Sequence, residues 1–178
     1  MVGNLDLDQL HDAIKARISE QFPALAAVED YGAPRKSLQV PAVLIELADM
    51  EADLDSDPGT EQLAVVSKWV VRVVLSFRAE NVQREIRKLA GALGVLVQQN
   101  RWGQRVSPAQ VTYIGPDAFD PELDKFEVWA VEWDQQIDLG QSVWTGEGVT
   151  PEQVMIGYSP DIGPGQEPDY TEIDGSGA

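Results

Sequence analysis

Residues Asp117–Gly140 read DAFDPELDKFEVWAVEWDQQIDLG, an acidic turn containing Pro121 that runs straight into a long alternating segment. Trp129, Val131, Trp133, Ile137 and Leu139 fall on one side of an extended chain, and Glu132, Asp134, Gln136 and Asp138 on the other. Successive strand side chains point to opposite faces, so one face is built to be buried and the other to be wet or paired. A strand of this kind needs a sheet around it and a layer over its apolar side.

The flanking sequence supplies both. Leu63–Phe77 repeats the pattern, with Val65, Trp69, Val71, Val73, Leu75 and Phe77 on one side and Lys68, Arg72 and Ser76 on the other. PAVLIEL at 41–47 is an apolar run of strand length, and a further short strand is expected around Gln110–Ile114. The acidic stretch Ala48–Thr60, which contains Asp57-Pro58-Gly59, reads as a loop between antiparallel strands, because Pro-Gly favours a turn and like charges resist compaction. Leu7, Leu10, Ile14 and Ile18 recur at helical spacing, with Asp6 as N-cap and Phe22-Pro23 as the stop. A second helix is expected over about Ala79–Asn100, with Val82, Ile86, Leu89, Leu93 and Leu96 as its apolar stripe and Arg84, Arg87 and Lys88 pointing away. Gly91 and Gly94 cost that helix roughly 1 kcal/mol each relative to alanine, which close approach to the sheet would offset. The fold class is α+β: a small, mostly antiparallel sheet of about four strands packed with two helices, spanning residues 1–140.

From residue 141 onward the texture changes to a Gly- and Pro-rich, acidic arm. Such a segment cannot build its own core, yet Trp144, Met155, Ile156, Tyr158 and Tyr170 are spaced through it as candidate anchors. It reads either as an extended arm lying on its own domain or a neighbour, or as a disordered terminus.

The 178 residues, 43% of them hydrophobic, suffice for one core. No run reaches the roughly 20 apolar residues that span a bilayer, and MVGNLDLDQL has neither a basic nor an apolar signal region, so a soluble chain without a membrane partner is expected. The net charge of −17 argues against a nucleic-acid-binding surface. Its distribution is uneven: seven acids and no base from Glu46 to Glu61, eight bases against two acids from Gln62 to Arg105, eleven acids and no base from Phe126 onward. A basic middle between acidic blocks suits docking of unlike surfaces within or between subunits, and simple solvation of exposed faces is the alternative.

The residues for catalysis are sparse. There is no cysteine, the single histidine is His11, and no G-x-S-x-G motif occurs. Asp49, Glu51, Asp53, Asp55 and Asp57 superficially resemble a calcium loop, but Leu54 or Pro58 stands where the turn glycine belongs and Thr60 or Ala64 where the closing glutamate belongs. Asp120, Glu122, Asp124 and Glu127 lack the apolar surroundings that raise a carboxyl pKa. No enzyme activity, cofactor or metal is expected.

LHDAIKARISEQFPAL, VPAVLIELADME, the strand from Leu63, VQQNRWGQRV, FDPELDKFEVWAVEWDQQIDLG and the ending VMIGYSPDIGPGQEPDY together resemble the tail terminator proteins of Mu-like bacteriophages. The resemblance covers most of residues 5–140 and the arm, and it carries no catalytic residue set. It implies a homo-oligomer, a six-membered ring at the head-proximal end of the tail tube. Such a ring stops tube polymerisation, contacts the tube protein, the head–tail connector and any sheath, and lets genomic DNA pass unbound. The expected location is the virion tail, with host cytoplasm during assembly. A neck or tail completion protein that binds the portal-side connector is the alternative. On this reading Asp49, Glu51, Asp53, Asp55 and Asp57 are candidates to line the channel, where carboxylates repel phosphate. Lys68, Arg72, Arg84, Arg87, Lys88, Arg101 and Trp102 are candidates for a subunit or tube interface.

Overall fold

The computed structural model describes residues 4–32, 38–117, 126–144 and 155–172, which fall into two compact units divided between Val143 and Trp144. In the larger unit helix α1 (Leu7–Gln21) leads into β1 (Ala27–Asp30) and β2 (Ala42–Ala52). Strand β3 (Leu63–Ser76) is followed by helix α2 (Val82–Val97), β4 (Gln110–Pro116) and β5 (Phe126–Leu139). The strands form one five-stranded sheet in the order β1-β2-β3-β5-β4. Only β1 and β2 run parallel; the other neighbours are antiparallel.

The two long strands are the centre of the sheet, paired residue for residue from Leu63↔Leu139 to Ser76↔Phe126. Their alternation is the one the sequence carries: Val65, Trp69, Val71 and Val73 face the same core as Val131, Trp133 and Ile137. Trp69 stands opposite Trp133, and the two rings stack with centroids 6.0 Å apart. Leu10, Ile14 and Ile18 of α1 and Ile86, Ala90, Leu93 and Val97 of α2 close over this face, so both helices lie on one side of the sheet. Asp6 caps α1, its carboxylate accepting from the backbone N–H of Asp8 at 2.9 Å and of Gln9 at 3.3 Å.

The α+β class and the mostly antiparallel sheet packed with two helices are as expected, with one strand more, and two details need correction. The sheet has a fifth strand, because β1 is only four residues long, too short to show a period, and is held by parallel pairing to β2. The acidic stretch is not one loop: β2 runs on to Ala52, passing an irregularity between Leu47 and Asp49. The loop proper begins at Asp53, since Lys68 opposite Asp49 neutralises part of the charge that would otherwise disfavour a strand. Helix α2 is shorter than Ala79–Asn100 and its buried stripe is rotated to Ile86, Ala90, Leu93, Gly94 and Val97, leaving Val82, Leu89 and Leu96 half-buried. Gly94 is the reason: a Cβ there would collide with the Ile114 side chain of β4, so the glycine lets the helix settle against that strand. Gly91 has no such neighbour.

The smaller unit is not simply extended. Met155–Ile156 (β6) pairs antiparallel with Thr171–Glu172 (β7), the Tyr170 ring occupies the space a Cβ on Gly157 would need, and the backbone N–H of Gly163 donates to the Tyr170 hydroxyl at 2.8 Å. A tyrosine and two glycines fold this short segment back on itself without a core.

Candidate interaction surfaces

Among the described residues, the face of the sheet away from the helices is covered at one end, where Tyr31, Leu38, Val40 and Phe126 pack on Ala42, Leu44, Val74 and Val128. The remainder carries charge in rows. Two cations of the central β3, Lys68 and Arg72, stand among carboxylates of the neighbouring strands and loops. Lys68 Nζ donates to Glu51 at 2.7 Å, with Asp49 and Asp134 close enough to add to the field that raises its pKa. Arg72 donates to Glu46 at 2.6 Å and to Asp117 at 2.7 Å, and its guanidinium lies 4.1 Å from the centre of the Tyr31 ring. Burial pushes the Arg72 pKa down, but the bonds to the two carboxylates outweigh this and hold it above its ordinary value. Both candidate interface cations are therefore engaged within the chain. Glu46, Asp49, Glu51, Glu132 and Asp134 outnumber them, so this face is acidic.

The five candidate channel acids divide accordingly. Asp49 and Glu51 belong to β2 and share the face of Lys68, whereas Asp53, Asp55 and Asp57 belong to the loop that follows. The Asp53 carboxylate is held by Ser56 Oγ at 2.8 Å, by the amide of Gln136 and by the backbone N–H of Asp55, and the first-named bond is the largest cause of its lowered pKa. Among the described residues no cluster of three metal-ligating side chains occurs. Glu127 lies in β5, and Asp120, Glu122 and Asp124 lie outside the described residues.

Asp55, Ser56, Asp57 and Pro58 form one wall of an open groove of ≈ 700 Å³, with Arg101, Arg105, Val106 and Ser107 opposite and Gln136–Asp138 as its floor. The Arg-bearing wall is the α2–β4 connection, and its position depends on a residue that the alternation of β5 hides. Gln135 is on the core side, 1% exposed. Its Oε1 accepts from Trp102 Nε1 at 3.0 Å, and its Nε2 donates to the carbonyls of Ser107 at 2.7 Å and Asn100 at 3.3 Å. Ser67 Oγ, which receives the Trp69 Nε1 proton at 3.0 Å, donates in turn to the Gln135 carbonyl at 2.7 Å.

Trp102 is thus corrected from interface candidate to core residue. It is buried, tilted against Trp133 at 5.9 Å, and pinned by its own N–H to Asn100 Oδ1 at 2.8 Å. These contacts hold it at φ +57, a left-handed conformation that costs a bulky residue about 1–2 kcal/mol. Arg101, by contrast, is exposed and donates to the Val106 carbonyl at 3.0 Å. Arg84, Arg87 and Lys88 are exposed on α2, where Lys88 pairs with Glu85 at 2.7 Å. His11 is half-buried against Trp69, and both His11 Nε2 at 3.0 Å and Lys15 Nζ at 2.8 Å contact Asp30 Oδ1, tying α1 to β1. Of the arm anchors, Trp144, Met155, Ile156 and Tyr158 are exposed and Tyr170 is half-buried.

No helix among the described residues is long and apolar enough to cross a membrane. No protein-family model matches the chain, and no curated protein matches it in sequence. Among solved structures, it is similar to a chain from the virion of a native gene transfer agent particle, with a TM-score of 0.45 and 14% sequence identity, over 73% of this chain and 98% of that one.

Proposed function

We propose that this chain is a structural virion protein, a tail terminator that closes the head-proximal end of a phage tail tube as a ring, stops its polymerisation and offers the surface to which the head is joined. The observation that carries the reading is the likeness of its sequence segments to the Mu-like terminators. Those segments coincide with working parts of the domain: α1, β2, β3, the end of α2 with its connection, and β5. Surface charge is consistent with the role. A ring joins unlike patches of identical subunits and needs a lumen that repels phosphate; the chain has exposed cations on α2 to serve the first and an acidic sheet face and loop to serve the second. We place the loop acids Asp53, Asp55 and Asp57, with Asp49 and Glu51 of β2, toward the channel, where they repel passing DNA. The role proposed is structural and not catalytic.

Electron microscopy of lysates from a phage lacking this coding sequence tests the reading through tail length and head attachment. Overlong, headless tubes are the expected result. Tails of correct length without heads would overturn it in favour of a neck or completion protein.

A further inference from the structure

The outward side of α2 changes character along its length. Arg84, Arg87 and Lys88 occupy the first half, and Gly91, Ala92 and Val95 follow on the same side, because residues three, four and seven apart stack along one helix face. Val95 is 79% exposed and lines a shallow cleft of ≈ 510 Å³ with Gln21, Phe22, Ala92 and Leu96. Gly91 has open space where a Cβ would stand, so the packing of the domain gives no reason for a residue that weakens a helix relative to alanine. A glycine beside an exposed valine and three cations is a surface shaped for close approach by something acidic and partly apolar.

The chain itself contains such a segment. Residues 155–172 carry Asp161, Glu167, Asp169 and Glu172 and no base, while Met155, Ile156, Tyr158 and Ile162 are exposed, Tyr158 by 76%. The β6–β7 pairing sets Met155 beside Glu172, so the folded segment carries apolar and acidic side chains together, as the outward face of α2 carries Val95 together with its three cations.

We propose that the outward face of α2 is the docking site for the acidic arm of a second copy of this chain. Exposed apolar side chains of the folded segment cover Ala92, Val95 and Phe22, and its carboxylates at Asp161, Asp169 and Glu172 meet Arg84, Arg87 and Lys88. Removal of apolar surface from water supplies the attraction, and the charges set the direction in which the arm lies. Arm and helix are different patches, so the contact is heterologous and hands on from copy to copy. It is independent of the terminator reading, being read in solution and not in tail length.

The test is sedimentation of the full-length protein at low salt in two charge-reversed forms, R84E/R87E/K88E and D161K/D169K/E172K. Each alone sets like charge against like, and self-association should weaken about tenfold or more. An equimolar mixture should recover association, because the acidic arm of the first variant meets the basic helix of the second. V95D should weaken association while leaving the circular dichroism and unfolding transition unchanged. A wild-type chain that sediments as a monomer at the highest attainable concentration would overturn the proposal. So would reversed variants that associate like wild type, or a mixture that fails to recover.

Discussion

Gln135→Leu tests whether one buried amide holds the α2–β4 connection in place. The substitution keeps a side chain of similar size in a site that is 1% exposed but removes one acceptor and two donated hydrogen bonds. The losses are unequal. The Asn100 carbonyl also accepts from the backbone N–H of Ala109 at 2.9 Å and stays satisfied. The indole N–H of Trp102 and the carbonyl of Ser107 lose the bonds they make to this side chain, at about 1–3 kcal/mol each when a buried group is left unpaired. Leucine recovers part of this through apolar burial, for a net cost of about 2–4 kcal/mol. In a chain of this size each kcal/mol lowers the melting temperature by about 2–4 °C, so a fall of roughly 10 °C is expected. Urea unfolding followed by tryptophan fluorescence reads the effect directly, since Trp102 and Trp133 adjoin the site. Gln135→Glu adds a sign. The carbonyls of Ser107 and Asn100 favour a protonated carboxyl, which raises its folded pKa above the unfolded value. The variant should therefore be most stable at acid pH and lose stability as pH rises through that folded pKa. A Gln135→Leu variant within 1 kcal/mol of wild type would refute the reasoning.

Arg72→Met keeps the aliphatic stem but removes the guanidinium's bonds to Glu46 and Asp117 and the cation from the Tyr31 ring; partial exposure of the site limits the loss to about 2 kcal/mol by urea unfolding. Gly91→Ala should raise the unfolding free energy of the domain by about 0.5–1 kcal/mol because nothing opposes its methyl group, whereas Gly94→Val should lower it by about 1–3 kcal/mol by driving a branched side chain against Ile114. Hydrogen bonding from Lys15, and secondarily from His11, holds the Asp30 carboxyl below its ordinary value of 3.8, so its contribution is present above the unfolded pKa and disappears as pH falls through the lower folded value. Asp30→Asn should flatten that acid limb in an acid titration followed by circular dichroism, and an unchanged limb would count against the pairing.

Sequence alone reached the parts of the fold that depend on long periods. Fourteen residues of alternation in each of β3 and β5 leave little freedom in which side chains face the core. The same pattern concealed Gln135, because a polar residue in a core position is visible as an exception but its partners, Asn100, Trp102 and Ser107, come from a distant turn. Trp102 is hidden for a related reason: a tryptophan between Arg101 and Gly103 reads as an interface residue, whereas the loop folds it inward. The acidic stretch broke at Ala52 and not at Leu47 because a strand's tolerance for charge depends on the strand beside it, and Lys68 is far away in sequence. In the arm, the apolar residues were legible, but the pairing of residues 155–156 with 171–172 rests on a two-residue ladder with no periodic signal.

The centre of the sheet joins strands whose partners lie about sixty residues apart, as Val71 and Val131 do. On a ribosome adding roughly 5–20 residues per second, β3 waits several seconds for β5 to emerge. Throughout that interval its valines and Trp69 lack half of their cover, and the charged carpet that includes Lys68 and Arg72 is only half laid. Neither face of the sheet is therefore finished until synthesis has passed Leu139. Completion of the sheet is thus timed by the order of its strands, with the last central strand arriving late in synthesis.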